Sequence, residues 1–220
     1  MEVYKFGGAS VKDAEGVRNL ANIIKERNQK NNLLIVISAM GKVTNKLEDL
    51  TKAYLTGLED THQIFEEVKQ FHFNIISELF PDHSNPVYND VANSFVEIDW
   101  LIEEEPDDAA DYIYDQIVSI GEIVSTKIAA AYLNETGCNV QWVDARNFIH
   151  TDNNYREAQV NWEKTEQEIQ KKLAPVLEQY IAVTQGFIGS TSENFTTTLG
   201  RDGSDYSAAI FASCLNATSL

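Results

Sequence analysis

The chain has 220 residues, 43% of them hydrophobic, which is enough for one α/β domain with a real core and too apolar for disorder. Its 34 acidic and 17 basic residues give a formal net charge of −17, which argues against nucleic acid or an anionic membrane surface as a partner. Any site for an anionic ligand must therefore gather its few cations locally.

In chain order, residues 3–6 form a short apolar strand that runs into Gly7-Gly8-Ala9-Ser10, with Lys5 at its exit. Glycines allow close backbone approach to a ligand, and a following helix offers free N–H groups and a positive dipole end. A lysine beside such a turn suits phosphate. On this segment alone, a strand-to-helix turn with a solvated lysine explains the residues equally well. Asp13 is a candidate cap for a helix carrying Val17, Leu20, Ala21 and Ile24 at i, i+3, i+4 and i+7. Residues 33–38 are a continuous apolar run, as in a parallel strand buried on both faces.

Residues 46–80 read as helical with a break near Gly57, followed by a loop over 81–86 and a helix over 87–102. The run Glu103-Glu104-Glu105-Pro106-Asp107-Asp108 is an acidic hinge rather than a metal site, because successive carboxylates in a loop cannot all converge on one ion. Asp107 or Asp108 is the expected cap of the next helix, whose stripe is Ile113, Ile117, Ile120, Val124 and Ile128. Strands are expected at 140–143, 181–188 and 196–199. Glu- and Lys-rich helical segments fall within 156–178, and a last helix runs from about 204 to 215, with Ser204 or Asp205 as its cap.

Cys138 and Cys214 stand in apolar contexts and read as small core residues. His62, His72, His83 and His150 have no partner at ligand spacing and read as structural or solvent-facing, with His62 and His72 on polar helices. No signal segment and no membrane-length apolar run is present, so the expected location is cytoplasmic, where the Asn-X-Thr patterns at Asn194 and Asn216 mean nothing.

The second informative segment is Thr196-Thr197-Thr198-Leu199-Gly200-Arg201-Asp202-Gly203-Ser204-Asp205. It again ends a β-prone run at glycines and opens a small-residue helix. Its arginine can clamp a carboxylate or phosphate through two hydrogen bonds.

Together these two segments resemble the aspartate kinases of the amino-acid kinase superfamily. Three further segments carry the likeness in register: Ile37-Ser38-Ala39-Met40-Gly41-Lys42-Val43-Thr44-Asn45, Ser119-Ile120-Gly121-Glu122 and Val183-Thr184-Gln185-Gly186-Phe187-Ile188-Gly189. The likeness runs from the first residues to about position 215. Two positions depart from the pattern. Ala9 stands where the family usually has threonine, and Asp202 where glycine is common.

The resemblance implies a three-layer αβα sandwich with a mostly parallel central sheet, truncated at its C-terminal end, with a helical insertion over about 46–135. It implies that residues 1–220 are the N-terminal portion of the catalytic domain. The nucleotide-binding remainder and the ACT regulatory domains would lie outside the chain, and the fragment alone would be inactive. The implied reaction is ATP-dependent phosphorylation of the L-aspartate β-carboxylate, the first step toward lysine, threonine and methionine. Lys5 and Asp205 would be catalytic. Lys5, Phe6, Gly7, Gly8 and Ser10 would hold phosphate. Ser38, Thr44, Glu122, Arg201, Gly203 and Ser204 would hold aspartate. Mg²⁺ would accompany ATP without a dedicated protein-ligated metal site, and the full-length protein would be a homo-oligomer binding neither nucleic acid nor membrane. The competing readings are an amino-acid kinase acting on acetylglutamate, glutamate or carbamate, and a non-catalytic binding module on the same fold.

Overall fold

Short apolar segments alternating with helices build a parallel sheet covered on both faces. The structure, a computed structural model, describes residues 1–27, 31–57 and 60–220. Strands β1 (Glu2–Phe6), β2 (Leu33–Ile37), β3 (Val140–Trp142) and β4 (Ile181–Gln185) lie in the order β1-β2-β4-β3, all neighbours parallel. Every residue of β2 and β4 is buried. Phe6 stands opposite Ile37, and Ile37 opposite Gln185, so three strands end at one level. The glycines after β1, Ser38 after β2 and Gly186 after β4 are thereby brought together.

Helix α1 (Ala14–Glu26) buries its expected stripe, and the Asp13 carboxylate caps it by accepting from the Gly16 N–H at 2.8 Å. Helices α2 (Val43–Thr56), α3 (Thr61–Leu79) and α4 (Val87–Glu103) pack around α5 (Ala110–Glu135), which lies across β2, β3 and β4 and touches α1. The break between α2 and α3 comes at Gly57, in the left-handed region; Leu58 and Glu59 lie outside the described residues. On the other face, α6 (Trp162–Glu168), a π turn (Ile169–Leu173) and α7 (Ala174–Leu177) lead into β4, and α8 (Gly203–Cys214) packs on β1 and β2. The fold is thus α/β with a parallel central sheet between helix layers. Among the described residues, no helix is long and apolar enough to cross a membrane.

Several expectations need correction. No α-helix opens at the first glycines: a 3₁₀ turn (Gly8–Val11) intervenes, and the amide end of α1 is already taken by Asp13. The expected strand 181–188 splits in two. The chain turns at Gly186 and Phe187, the latter with φ +70°, and β5 (Ile188–Ser190) pairs antiparallel with β6 (Thr196–Thr198) in a separate sheet. The cause is close packing: a Cβ on Gly186 would lie 2.7 Å from the Ser204 Cβ, so the start of α8 sits on this backbone. Neither Asp107 nor Asp108 caps α5; Ala109 holds that position without a side-chain bond, and Asp111 supplies the favourable charge in the first turn. Likewise α8 starts after Asp202, in the left-handed region, and no side chain caps it.

His72 is not on a polar face. It is fully buried against Phe71 and Phe95, with Nδ1 2.8 Å from the Val68 carbonyl oxygen, and burial pushes its pKa down to about 4. Cys138 and Cys214 are both free thiols, half-buried and buried respectively.

Candidate active site

Parallel sheets bind ligands beyond the carboxyl ends of their strands. Here those ends meet the start of α8 and one side of α5 around a cleft of about 540 Å³, a volume suited to a small ligand.

The floor of the cleft depends on backbone approach that only glycine permits. A Cβ on Gly8 would fall 2.3 Å from the Ala39 carbonyl oxygen, while the Gly8 carbonyl accepts from the Gly41 N–H at 2.9 Å. The loops after β1 and β2 are therefore in direct contact. Ser125, one turn beyond Glu122 on α5, donates its hydroxyl to the Ser38 carbonyl at 2.6 Å and fixes the end of β2.

Lys5 projects from β1 to Asp205 in the first turn of α8, with Nζ 2.8 Å from Oδ1. The lysine is largely covered and the aspartate is open to solvent, so the ammonium is held from one side and remains accessible from the cleft.

Glu122 reaches the cleft because Gly121 lets α5 sit tightly on its neighbours. A Cβ there would be 3.0 Å from Leu47 Cδ1 and 3.1 Å from the Ala39 Cβ. The Glu122 carboxylate is 3% exposed, and its Oε2 has no hydrogen-bond partner. Burial pushes its pKa up to about 8, against the opposing pull of the Ala39 N–H and the Lys5 ammonium. A buried carboxylate with an unsatisfied oxygen is costly, and an incoming cation would relieve that cost.

Arg201 stands at the opposite lip, 95% exposed, with its nearest carboxylate, Asp202, 3.8 Å away. Gly203 is required beneath it, since a Cβ there would lie 2.6 Å from Phe187 Cδ2. Phe187 is itself held by its N–H, which donates to Ser207 Oγ at 2.8 Å.

Of the residues expected from the sequence, the cleft gathers Lys5, Gly8 and Asp205. It also gathers Ser38, Thr44, Glu122, Arg201, Gly203 and Ser204. Phe6, Gly7 and Ser10 do not line it. Gly7 flanks Lys5, a Cβ there lying 3.5 Å from Nζ, and Ser10 is exposed in the 3₁₀ turn, its N–H spent on the Gly7 carbonyl.

The structure adds Glu48, Tyr114, Arg156, Glu157 and Phe187 to the wall. Glu48 lies one turn after Thr44, and Tyr114 about two turns before Glu122, so helical periodicity could have found both. The Tyr114 hydroxyl donates to Glu48 Oε1 at 2.8 Å, and the Arg156 guanidinium lies 4.2 Å above the Tyr114 ring. Arg156 has no such signal; it sits in an irregular loop reached only by tertiary folding. The wall thus carries three cations, Lys5, Arg156 and Arg201, among five carboxylates.

Comparison with known proteins identifies the family. The sequence profile of the Amino acid kinase family matches residues 1–220. Lysine-sensitive aspartokinase 3 of Escherichia coli (strain K12) is 31% identical over 216 residues, covering 98% of this chain and 47% of the relative. Aspartokinase of Chlamydia trachomatis is 31% identical over 228 residues, with coverage of 99% and 47%. The crystal structure of E. coli aspartokinase III in complex with aspartate and ADP superposes with a TM-score of 0.89 at 31% identity, over 99% of this chain and 47% of that one. The aspartate kinase of Clostridium acetobutylicum gives 0.77 at 27% identity, over 99% and 46%. The chain thus spans about half the length of these relatives. It belongs to the amino acid kinase family.

Proposed function

We propose that this chain provides the amino-acid and phosphate-facing side of an aspartate kinase, which transfers the γ-phosphoryl group of ATP to the β-carboxylate of L-aspartate to give β-aspartyl phosphate. The observation that carries the reading is the buried Glu122 carboxyl group, its Oε2 without a hydrogen-bond partner among the described residues, in one cleft with Lys5 and Arg201. An α-amino acid has an ammonium for the first and anionic groups for the other two. The relatives named aspartokinase, and a solved relative holding aspartate and ADP, support the choice of substrates.

In this reading Glu122 receives the α-ammonium, and Arg201 clamps the α-carboxylate with charge-assisted bonds. Ser38, Thr44 and Ser204 donate to the amino acid, and the backbone at Gly203 keeps Arg201 at the lip. The β-carboxylate is already a nucleophile at neutral pH, so no general base is needed. What the reaction needs is alignment and charge neutralisation. Lys5, oriented by Asp205, faces the transferred phosphoryl group, with Gly7 and Gly8 allowing its close approach. Phe6 and Ser10 stand behind this turn.

Mg²⁺ belongs to the nucleotide substrate in this reading. Among the described residues, no three His, Cys, Asp or Glu side chains gather into a metal cage, and magnesium commonly binds through substrate phosphates with few protein ligands.

The test is a coupled ADP-release assay on the complete gene product, with trapping of the acyl phosphate by hydroxylamine. The reading predicts turnover with L-aspartate and little with glutamate, acetylglutamate or carbamate. Equal or greater turnover with any of these three, or none with aspartate, refutes it.

A further inference from the structure

The carboxylate of Asp115 is fully buried on α5 and has no part in the chemistry above. Four contacts converge on it. Thr198 donates its backbone N–H to Oδ2 at 2.8 Å and its hydroxyl to Oδ1 at 2.7 Å. The Arg156 N–H reaches both oxygens, at 3.0 and 3.2 Å. One carboxylate thus ties together α5, the loop around Arg156 and the end of β6. Each of these segments carries a wall residue: Glu122 two turns along α5, Arg156 itself, and Arg201 three residues beyond Thr198.

The tie extends into the two loops. The Ala158 N–H donates to the Thr198 carbonyl at 3.0 Å. A Cβ on Gly200 would lie 3.4 Å from the Arg156 carbonyl oxygen and 3.4 Å from Glu157 Cγ, so the Arg156 loop packs on the residue preceding Arg201. Arg156 is held there with φ +69°, a region that costs a residue with a side chain. A buried charge committed to a strained backbone indicates that the position of Arg156 matters.

The Arg156 guanidinium is placed to be used. It lines the cleft on the face of Tyr114, and among the described residues its ion pair is to exposed Asp111 at 3.4 Å, leaving most of its five donors unspent there. Arg201, by contrast, is almost wholly exposed and loosely partnered. Arg156 is half exposed, but its backbone is held by Asp115 and its guanidinium rests on Tyr114, so it has less freedom to lose on binding than Arg201.

We propose that Arg156 is a second guanidinium for the non-reacting carboxylate of the substrate, and that Asp115 is the positioning residue that holds it and joins it to the Arg201 loop. This inference rests on the reading of the cleft as an aspartate site.

The test is steady-state kinetics of the complete gene product. Arg156→Ala should raise the aspartate KM about tenfold or more, with kcat and the ATP KM within about threefold of wild type. Arg156→Lys should fall between the two. Asp115→Asn should raise the aspartate KM to a similar extent. The double variant should be no worse than the worse single one, because the two residues act through one contact.

An unchanged KM in Arg156→Ala overturns the proposal, and so do multiplying effects in the double variant. If Asp115→Asn does not fold, Thr198→Val decides the Asp115 half: a KM rise of about threefold or more supports it, and a wild-type KM overturns it. Absence of aspartate-dependent turnover in the wild type overturns the reading of the cleft, and this inference with it. Normal wild-type turnover with an unaffected Arg156→Ala overturns this inference alone.

Discussion

Replacing Glu122 with glutamine removes the ionisable group while keeping the shape of the side chain, and its effect follows from burial. The Glu122 carboxyl is raised from 4.5 to about 8, so the folded protein holds a proton that the unfolded chain releases. Its contribution to stability is complete below pH 4.5 and is lost as pH rises through 8. Linkage puts the loss at about 3 kcal/mol by pH 7 and about 4 kcal/mol by pH 8. Glu122→Gln should therefore unfold at higher denaturant concentration than wild type at pH 8 and match it near pH 4.5. The same proton reports on ligand binding. One unit below its pKa, the carboxyl is about nine-tenths protonated, and an arriving ammonium requires the charged form. Titration calorimetry in buffers of different ionisation enthalpy should find about 0.9 proton released per L-aspartate at pH 7, and about 0.1 at pH 9. Glu122→Gln should release none and bind aspartate at least about tenfold more weakly. Wild-type binding without proton release at pH 7, or a variant that binds as tightly as wild type, refutes the reasoning.

Three further outcomes are expected. Lys5→Met should lower kcat by about a hundredfold or more, as for loss of a transition-state electrostatic contact, while the aspartate KM moves little; turnover within a few-fold of wild type would show that Lys5 is misassigned. Arg201→Ala should weaken aspartate binding roughly ten- to a hundredfold and leave ATP binding nearly unaffected; the reverse pattern would exchange the two ends of the cleft. His72, held neutral with its pKa lowered to about 4, contributes stability that is present above pH 6.5 and lost as pH falls toward 4. That loss is about 3 kcal/mol, so His72→Phe should flatten the acid limb of the unfolding curve, and an unchanged limb would place the acid sensitivity elsewhere.

The parts legible in the sequence are those governed by local pattern. The strands β1 and β2, the capped helix α1 and the break at Gly57 follow from periodicity and backbone chemistry. Lys5, Arg201 and Asp205 stand in motifs at strand and helix ends and Glu122 in a motif midway along α5, and the four line one cleft. What the sequence concealed was decided by tertiary contact. The apolar run after Ile181 continues past Gln185, yet the approach of α8 to Gly186 forces a turn. Asp107 and Asp108 are good capping residues, but the chain enters α5 through Ala109. His72 stands on a helix rich in charged and polar residues, and what buries it is the packing of that helix against Phe95 of α4. Asp115 reads as one more acidic residue until Thr198, 83 positions away, is folded against it.

The most direct test of the account is a crystal structure of the protein grown with L-aspartate and a non-hydrolysable ATP analogue. The account predicts the α-ammonium within hydrogen-bond distance of Glu122, the α-carboxylate on Arg201, and the β-carboxylate directed toward a phosphate held by Lys5. Phosphate at Glu122, or aspartate bound outside the cleft between β1, α5 and α8, would contradict it.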